Sequence, residues 1–510
     1  MTDTPTVAVH MHGIHKRFGA VAANADVDLS VATGTVHGIV GENGAGKSTL
    51  MSILYGFYGA DAGHIEVLGK TAQIRNADDA IALGIGMVHQ HFMLVDTLTA
   101  LENVMLGAEP HWLLQRAERQ VRIRLDALMQ STGLQIELDK LVADLPVGDR
   151  QRLEILKALY RGAKILILDE PTAVLTPQET TQLFGVLRRL REQGTTLILI
   201  THKLKEVMAL CDVVTVMRAG RVVAEVPISD ASIEGLAQAM VGRKVNMGRV
   251  ADVMAQAGEV LLQASDLAVT DGLGVQRLKD VSLRLCAGEI VGVAGVSGNG
   301  QSELIDVLSG LLVPDVGQMQ MLGQSFNSPH WLDPTLARQL GLAHVPEDRH
   351  ARALVMAFAA WESAVLGYDD LPEYASHGWM NHRGMRAATA AMMQRFDVRP
   401  TDPELPSSKF SGGNQQKLVL ARELGRAPKV LLVGQPTRGV DIGAIEFIYT
   451  QLRALRQAGC AVLLVSSELD EILALSDRVM VMNQGRVAGE LPIDACTESA
   501  LGLLMTGGQA

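Results

Sequence analysis

Gly41-Glu42-Asn43-Gly44-Ala45-Gly46-Lys47-Ser48-Thr49 sets three glycines ahead of a lysine and two hydroxyls. Such a backbone can curl until its N–H groups converge on an anion, and a helix starting there adds its positive end. Lys47 then reaches the outer phosphates of a nucleoside triphosphate such as ATP, and Ser48 offers a hydroxyl to Mg2+. Further on, Ile165-Leu166-Ile167-Leu168 runs directly into Asp169-Glu170-Pro171. Two carboxylates ending a buried strand suit a metal held through water, at Asp169, and an attacking water oriented and polarised, at Glu170. Gln90 follows another strand-like run as a Mg2+ and water contact, and His202 ends the strand Leu197 to Thr201 within reach of a γ-phosphate. The histidines flanking Gln90, His89 and His91, lack the further ligands a metal site needs. His10, His12 and His15 read as strand decoration. Phe18 is either an adenine-stacking ring or a core residue.

The same order of parts recurs later in the chain, altered. The second loop reads Gly295-Val296-Ser297-Gly298-Asn299-Gly300-Gln301-Ser302-Glu303, and the second strand end reads Val430-Leu431-Leu432-Val433-Gly434-Gln435-Pro436. Gln301 replaces the lysine, Gly434 and Gln435 replace the acidic pair, and Glu347 stands where the first half has Gln90. Conversely, Ser411-Gly412-Gly413-Asn414-Gln415 faces Pro146-Val147-Gly148-Asp149-Arg150 in the first half. Gly41 to Gly295 is an offset of 254, whereas Gly148 to Gly413, Asp169 to Gly434 and His202 to Ser467 are each 265. A constant late offset means a duplicated domain rather than a short-period solenoid. The excess of 11 must be inserted between the loop and the Ser411 stretch.

To hold these residues, each half needs a strand feeding the glycine loop (Val36 to Val40 in the first), a helix after it (Ser48 to Tyr55), and later strand–helix units that deliver Asp169 and His202. Each half opens with short alternating strands, such as Val7-Ala8-Val9 and Val27-Asp28-Leu29. A polar helical segment, Gln115 to Leu134, lies between. The implied architecture is a parallel-sheet α/β core with an inserted helical subdomain, twice. Domains are expected at 1–243 and 259–510, joined by a linker at 244–258 with weak apolar periodicity.

The 510 residues allow two full cores, and 48% hydrophobic content is ordinary for a folded α/β chain. A net charge of −11 without a basic block gives a nucleic-acid role no electrostatic support. Cys211, Cys286, Cys460 and Cys496 are dispersed and form no CxxC pair, as expected of thiols in a reducing compartment. The acidic, polar start does not resemble a signal peptide, and no apolar run is long enough to span a bilayer.

Taken together, these motifs resemble those of an ATP-binding cassette ATPase, over nearly the whole chain. Ser411 to Gln415 resembles the family's signature sequence. The fused double form, with Pro436 to Ala444 and Val345-Pro346-Glu347-Asp348-Arg349, is similar to bacterial importers of simple sugars and nucleosides. Val147 to Lys157 looks closer to the nucleoside branch. The resemblance implies two cassettes meeting head to tail, each ATP lying between the loop of one and the signature of the other. It then sorts the losses. Gly41 to Thr49, Gln90, Asp169, Glu170 and His202 pair with Ser411, Gly412, Gly413, Gln415 and Asp441 in one intact site. Gln301, Gly434, Gln435 and Ser467 pair with Pro146, Val147 and Thr176 in a degenerate one. It further implies ATP and Mg2+ as cofactors, separate transmembrane permease subunits, an extracytoplasmic substrate-binding protein, and a position on the cytoplasmic face of the cell membrane. Phe92 to Val104 and Arg349 to Trp361 are candidate docking surfaces, through Phe92, Met93, Leu94, Met356 and Phe358, or else subdomain core.

Overall fold

In the first unit, Val36–Gly41, Ile85–Val88, Ile165–Asp169 and Thr196–Ile200 are buried at every residue. Strands covered on both faces must be apolar throughout rather than alternating. They pair in parallel with one another and with Val213–Arg218. Arg221–Pro227, which alternates between exposed and half-buried, closes one edge antiparallel. The sheet order is Arg221–Pro227, Val213–Arg218, Val36–Gly41, Thr196–Ile200, Ile165–Asp169, Ile85–Val88. Gly41, Ile200 and Asp169 therefore end neighbouring parallel strands at one edge, where ligands bind in such sheets.

The computed structural model describes residues 7–19, 21–89, 92–107, 114–172, 175, 177–244, 258–296, 298–376, 378–505 and 507. The chain divides into units 1–245 and 246–510. Most of the linker expected at 244–258 lies outside the described residues, as do Gln90, His91 and Thr176.

The second unit repeats the sheet order: Arg486–Pro492, Arg478–Asn483, Ile290–Ala294, Ala461–Ser466, Val430–Gly434, Leu342–Val345. Each unit also has a separate four-stranded antiparallel sheet. In the first it runs Val21–Ala32, Val7–Phe18, Ala62–Val67, Lys70–Ala72, and in the second Gln276–Cys286, Val260–Thr270, Val316–Met321, Gln324–Asn327. The opening strands expected to be short are thus 12 residues long in the first unit, interrupted by bulges in register. Their alternation reflects one face turned to the core around Met11, Ile14, Leu29 and Leu50. The opposite face carries the histidines: His12 pairs with Asp28 at 2.5 Å, and His10 lies 4.0 Å from Glu66.

Helices Ala100–Met105, Leu114–Thr132 and Val147–Tyr160 form the inserted segment of the first unit. Thr99 and Glu102 cap the first reciprocally. The inserted residues of the second unit are distributed. Ala62 to Val316 is still an offset of 254, Ala77 to Pro334 is 257, Ala100 to Ala360 is 260 and Val142 to Ser407 is 265. The last step contains the small hairpin Ala375–Ser376 and Trp379–Met380. Among the described residues, no helix is long and apolar enough to cross a membrane.

Candidate functional site: a phosphate loop and its acidic partners

Gly46 is the hinge on which the first loop turns into the helix Lys47–Leu54. Its φ is 96°, and a Cβ there would sit 2.2 Å from the Ala23 carbonyl oxygen. Only glycine accepts both the left-handed backbone and that approach. Asn24, buried against the loop, donates its Nδ2 to Gly46 O at 3.2 Å. This support had no sequence signal, because it comes from a different sheet.

Lys47 is 6% exposed, and its Nζ donates to Gly41 O at 2.8 Å and Glu42 O at 3.0 Å. The ammonium is therefore held inside the loop. Ser48, exposed at the mouth, hydrogen-bonds Asp169. Asp169 is 8% exposed, and burial together with the adjacent Glu170 raises its pKa, against that bond and the Lys47 charge. A hydroxyl and a carboxylate already in contact are hard oxygen donors of the kind Mg2+ takes beside phosphate oxygens, so these residues fit that ion.

Glu170 follows the strand with φ 48°, its N–H fixed to Ile200 O at 2.8 Å. That turn aims its carboxylate at His202, whose Nδ1 lies 2.7 Å from Oε1. Burial pushes the Glu170 pKa up, but His202, Lys47 and Lys203 outweigh it and leave the carboxyl below its ordinary value. Lys203 was missed in the sequence reading; its place directly after His202 was the available signal.

In the second unit Gln435 repeats the strained turn, with φ 47° and N–H to Val465 O at 2.8 Å. Ser467 Oγ donates to Gln435 Oε1 at 3.0 Å where the first unit has imidazole against carboxylate. The geometry survives without the charge.

Ser411 caps the helix Gly412–Leu424 by accepting from Asn414, whereas Pro146 starts Val147–Tyr160 with no side-chain cap. Asp441 caps Ile442–Gln457, its Oδ1 accepting from Ala444 N at 2.8 Å. Gln415, expected at the ligand, is bonded within its own unit. Its amide is buried and donates to Ser407 O and Phe410 O, while its Oε1 faces His350 Nε2 at 2.8 Å and Arg349 Nε at 3.4 Å. A side chain so engaged supports the segment from beneath. Phe18 is 44% exposed, edge-on to Tyr58 with centroids 5.2 Å apart, which rules out its core reading. Met93 and Phe358 are exposed, and Phe92, Leu94 and Met356 half-buried, so none of the candidate docking residues is buried core.

A glycine loop feeding a helix, a strand-end acidic pair and a histidine just past the strand between them define a nucleotide-hydrolysing cassette, whose fold the second unit repeats without the acidic pair or the histidine. The ABC transporter family model matches residues 25–173 and 278–438, and the chain belongs to that family of ATPases. It is 42% identical to the nucleoside import ATP-binding protein NupA of Lactococcus lactis, over 98% of each chain. It is 43% identical to the guanosine import ATP-binding protein NupO of Bacillus subtilis, over 98% of this chain and 97% of that one. It is 37% identical to the ribose import ATP-binding protein RbsA of Chromobacterium violaceum, over 98% of each. A crystal structure of the archaeal ribosome recycling factor aABCE1 in complex with a ribosomal stalk protein covers 94% of this chain and 90% of its own, with TM-score 0.63 at 19% identity, a likeness of fold alone.

Proposed function

We propose that this chain hydrolyses ATP to energise a bacterial importer of nucleosides, and that one composite site performs the hydrolysis. The observation that carries the reading is the Glu170–His202 contact at 2.7 Å beside a buried Lys47. Glu170, held as an anion, orients and polarises the attacking water. His202 fixes that carboxylate and faces the γ-phosphate, and Lys47 offsets the outer phosphates. Mg2+, held by Ser48, Asp169 and Gln90, supplies charge neutralisation at the phosphate oxygens. Ser411, the backbone of Gly412 and Gly413, and Asp441 complete the site from the other unit, with Gln415 holding that segment in shape. The complementary losses support this pairing, since independent halves would have no reason to lose opposite parts.

Separate permease subunits take the chemical work through Phe92, Met93, Leu94, Met356 and Phe358, on the cytoplasmic face of the cell membrane. An extracytoplasmic binding protein delivers the cargo to the permease. The nucleoside assignment rests on the full-length likeness to the two nucleoside and guanosine import proteins.

The test is uptake of labelled nucleosides and of labelled ribose or xylose in source cells carrying the chain or its Glu170→Gln form. Loss of nucleoside uptake alone is expected. Loss of sugar uptake instead moves the cargo to a simple sugar, and uptake of both unchanged overturns the transport reading. In the purified protein, Glu170→Gln should bind ATP while turnover falls about 10³-fold.

A further inference from the structure

Between the strand Leu342–Val345, the helix Pro334–Leu340 and the end of the helix Gly412–Leu424, the second unit holds a cavity of about 100 Å3. Its polar lining is Ser309, Arg338, His344, Arg352, Arg422 and Glu423. The charges around it do not balance. Arg422 is 7% exposed, and its Nε donates to Glu423 Oε1 at 2.7 Å, while Glu423 Oε2 accepts from Tyr368 OH at 2.8 Å. Arg352 is paired with Asp306. Arg338 lies over the Tyr368 ring at 5.4 Å and has no carboxylate partner among the described residues. One guanidinium is therefore left over, exposed at the mouth. Deeper in, His344 Nε2 is buried and has no hydrogen-bond partner among the described residues. Burial, with Arg352, Arg338 and Arg422 close by, keeps that imidazole neutral.

The fold itself does not require this arrangement, because the first unit builds the same cavity without it. The offset of 257 that relates Ile85–Val88 to Leu342–Val345 puts Ile81 at Arg338 and Met87 at His344. Offsets of 254 and 265 put Tyr55 at Ser309 and Lys157 at Arg422. Tyr55, Ile81, Met87 and Lys157 line a cavity of about 30 Å3. There Lys157 Nζ is already held, by Met93 O at 2.8 Å and Glu154 at 3.8 Å. Where the first unit has two apolar side chains and a large ring, the second has an arginine, a histidine and a serine. The hollow is roomier, with a surplus cation and an unused imidazole nitrogen.

A buried polar atom without a partner is costly unless a ligand supplies one. An anion would also offset the leftover guanidinium, and arginine binds oxyanions through paired N–H groups. The donors come from different elements: Arg338 from a helix, His344 from a strand, Arg352 from the segment after it. A planar carboxylate offers them two oxygens and a tetrahedral oxyanion four. The volume suits one such ion and is well below the roughly 300 Å3 at which pockets for larger organic ligands begin.

We infer that this cavity binds a small tetrahedral oxyanion, inorganic phosphate, through Arg338, His344 and Arg352. The site belongs to the second unit alone, and it stands whether or not the chain hydrolyses ATP.

The test is equilibrium dialysis of the full-length chain against labelled inorganic phosphate, without nucleotide. The unaltered chain is compared with Arg338→Ile, with His344→Met and with the two combined, which place the first unit's residues in the second unit's cavity. The glycine loops are the same in all four chains, so any phosphate they hold is a common background. The combined variant should lose one bound phosphate per chain, and each single variant should weaken that site by about tenfold or more. Circular dichroism in phosphate-free buffer checks folding. A second measurement needs no variant: arginine modification by phenylglyoxal on the unaltered chain, read by peptide mass spectrometry. Phosphate should protect Arg338, and acetate at the same ionic strength should not. Equal phosphate binding by all four chains overturns the inference, and so does an Arg338 modified as fast in phosphate as in chloride. Protection by acetate equal to that by phosphate overturns the choice of a tetrahedral ion.

Discussion

His202 Nδ1 lies 2.7 Å from Glu170 Oε1, and this contact separates two adjacent carboxylates. Burial works against charge on both. Asp169 has only the Ser48 hydrogen bond and Lys47 to oppose it, and its pKa rises; Glu170 has His202, Lys47 and Lys203, and its pKa falls. Neighbouring acids driven apart by their surroundings are a mark of divided acid–base labour. Glu170 is the one kept anionic.

Removing the imidazole should narrow that difference. In His202→Ala the Glu170 pKa should rise, because burial is then opposed only by Lys47 and Lys203. On the proposed role, in which ionised Glu170 polarises the attacking water, the acid limb of kcat/KM for ATP hydrolysis should shift to higher pH, with kcat down by about 10²-fold or more. The stability sign follows. A carboxyl whose folded pKa is depressed contributes stability above its unfolded pKa, and that contribution is lost as pH falls through the folded value. The variant should lack it. A pH–rate profile with an unmoved acid limb would falsify this assignment.

Gly46→Ala should damage binding before chemistry. The new Cβ would meet the Ala23 carbonyl at 2.2 Å, in a backbone conformation alanine resists. The loop must open, and strain of this kind costs about 1–3 kcal/mol. ATP affinity should fall by roughly tenfold or more, while far-ultraviolet dichroism keeps its shape. Equilibrium titration measures it, and unchanged affinity would show that the loop tolerates opening.

The sheet strands and the loop chemistry were legible because both are local. A fully buried parallel strand shows as an unbroken apolar run, and its register here follows from which runs carry Gly41, Asp169 and His202 at their ends. The constant 265-residue offset carried the duplication. What escaped depends on contacts between segments far apart in sequence. Alternation in Val7–Phe18 shows a half-buried strand but not a second sheet with bulges. Nothing local to Gln415 shows that His350 and Arg349, some 65 residues earlier, bond its side chain. The loss of an acid at Gly434 reads as simple decay, because nothing local shows Glu347 entering the space.

Two buried histidines should make both units acid-sensitive. Burial lowers the pKa of His37 to about 4 while its Nε2 bonds Thr215 Oγ1 at 2.8 Å. His344 is lowered to about 4 by burial and by Arg352, Arg338 and Arg422, and its Nε2 has no partner among the described residues. A histidine kept neutral in the fold protonates first in the unfolded chain. Stability therefore falls as pH drops below 6.5 and continues falling to about 4, by roughly 3 kcal/mol for His37. His37→Gln should flatten that fall in the first unit. His344→Met, which copies Met87 at the same strand position, should flatten it in the second. Urea unfolding at pH 7 and pH 5 reads both, and an equal acid loss in variant and parent would contradict the account.

Ser411 and Pro146 offer the sharpest test of a single hydrolytic site. Ser411→Ala removes a helix cap, worth about 1 kcal/mol to its own helix. If Ser411 also faces the nucleotide on the first loop, ATP turnover should fall about 10²-fold, although Lys47, Glu170 and His202 are untouched and lie in the other unit. Pro146→Ser is the mirror change. It supplies a hydroxyl and a backbone N–H where proline has neither, but on the proposed pairing it offers them to the site that carries Gln301 and Gln435. Turnover should stay at the level of the unaltered chain while the first unit gains the cap. Steady-state phosphate release and thermal unfolding, run together, separate the two effects. A cap acting only on folding would change stability by similar amounts, opposite in sign, and leave turnover per folded molecule alike in both variants. Loss of turnover in Ser411→Ala with none gained in Pro146→Ser is the asymmetry that one composite site requires. Increased hydrolysis in Pro146→Ser would mean that the second loop is competent after all.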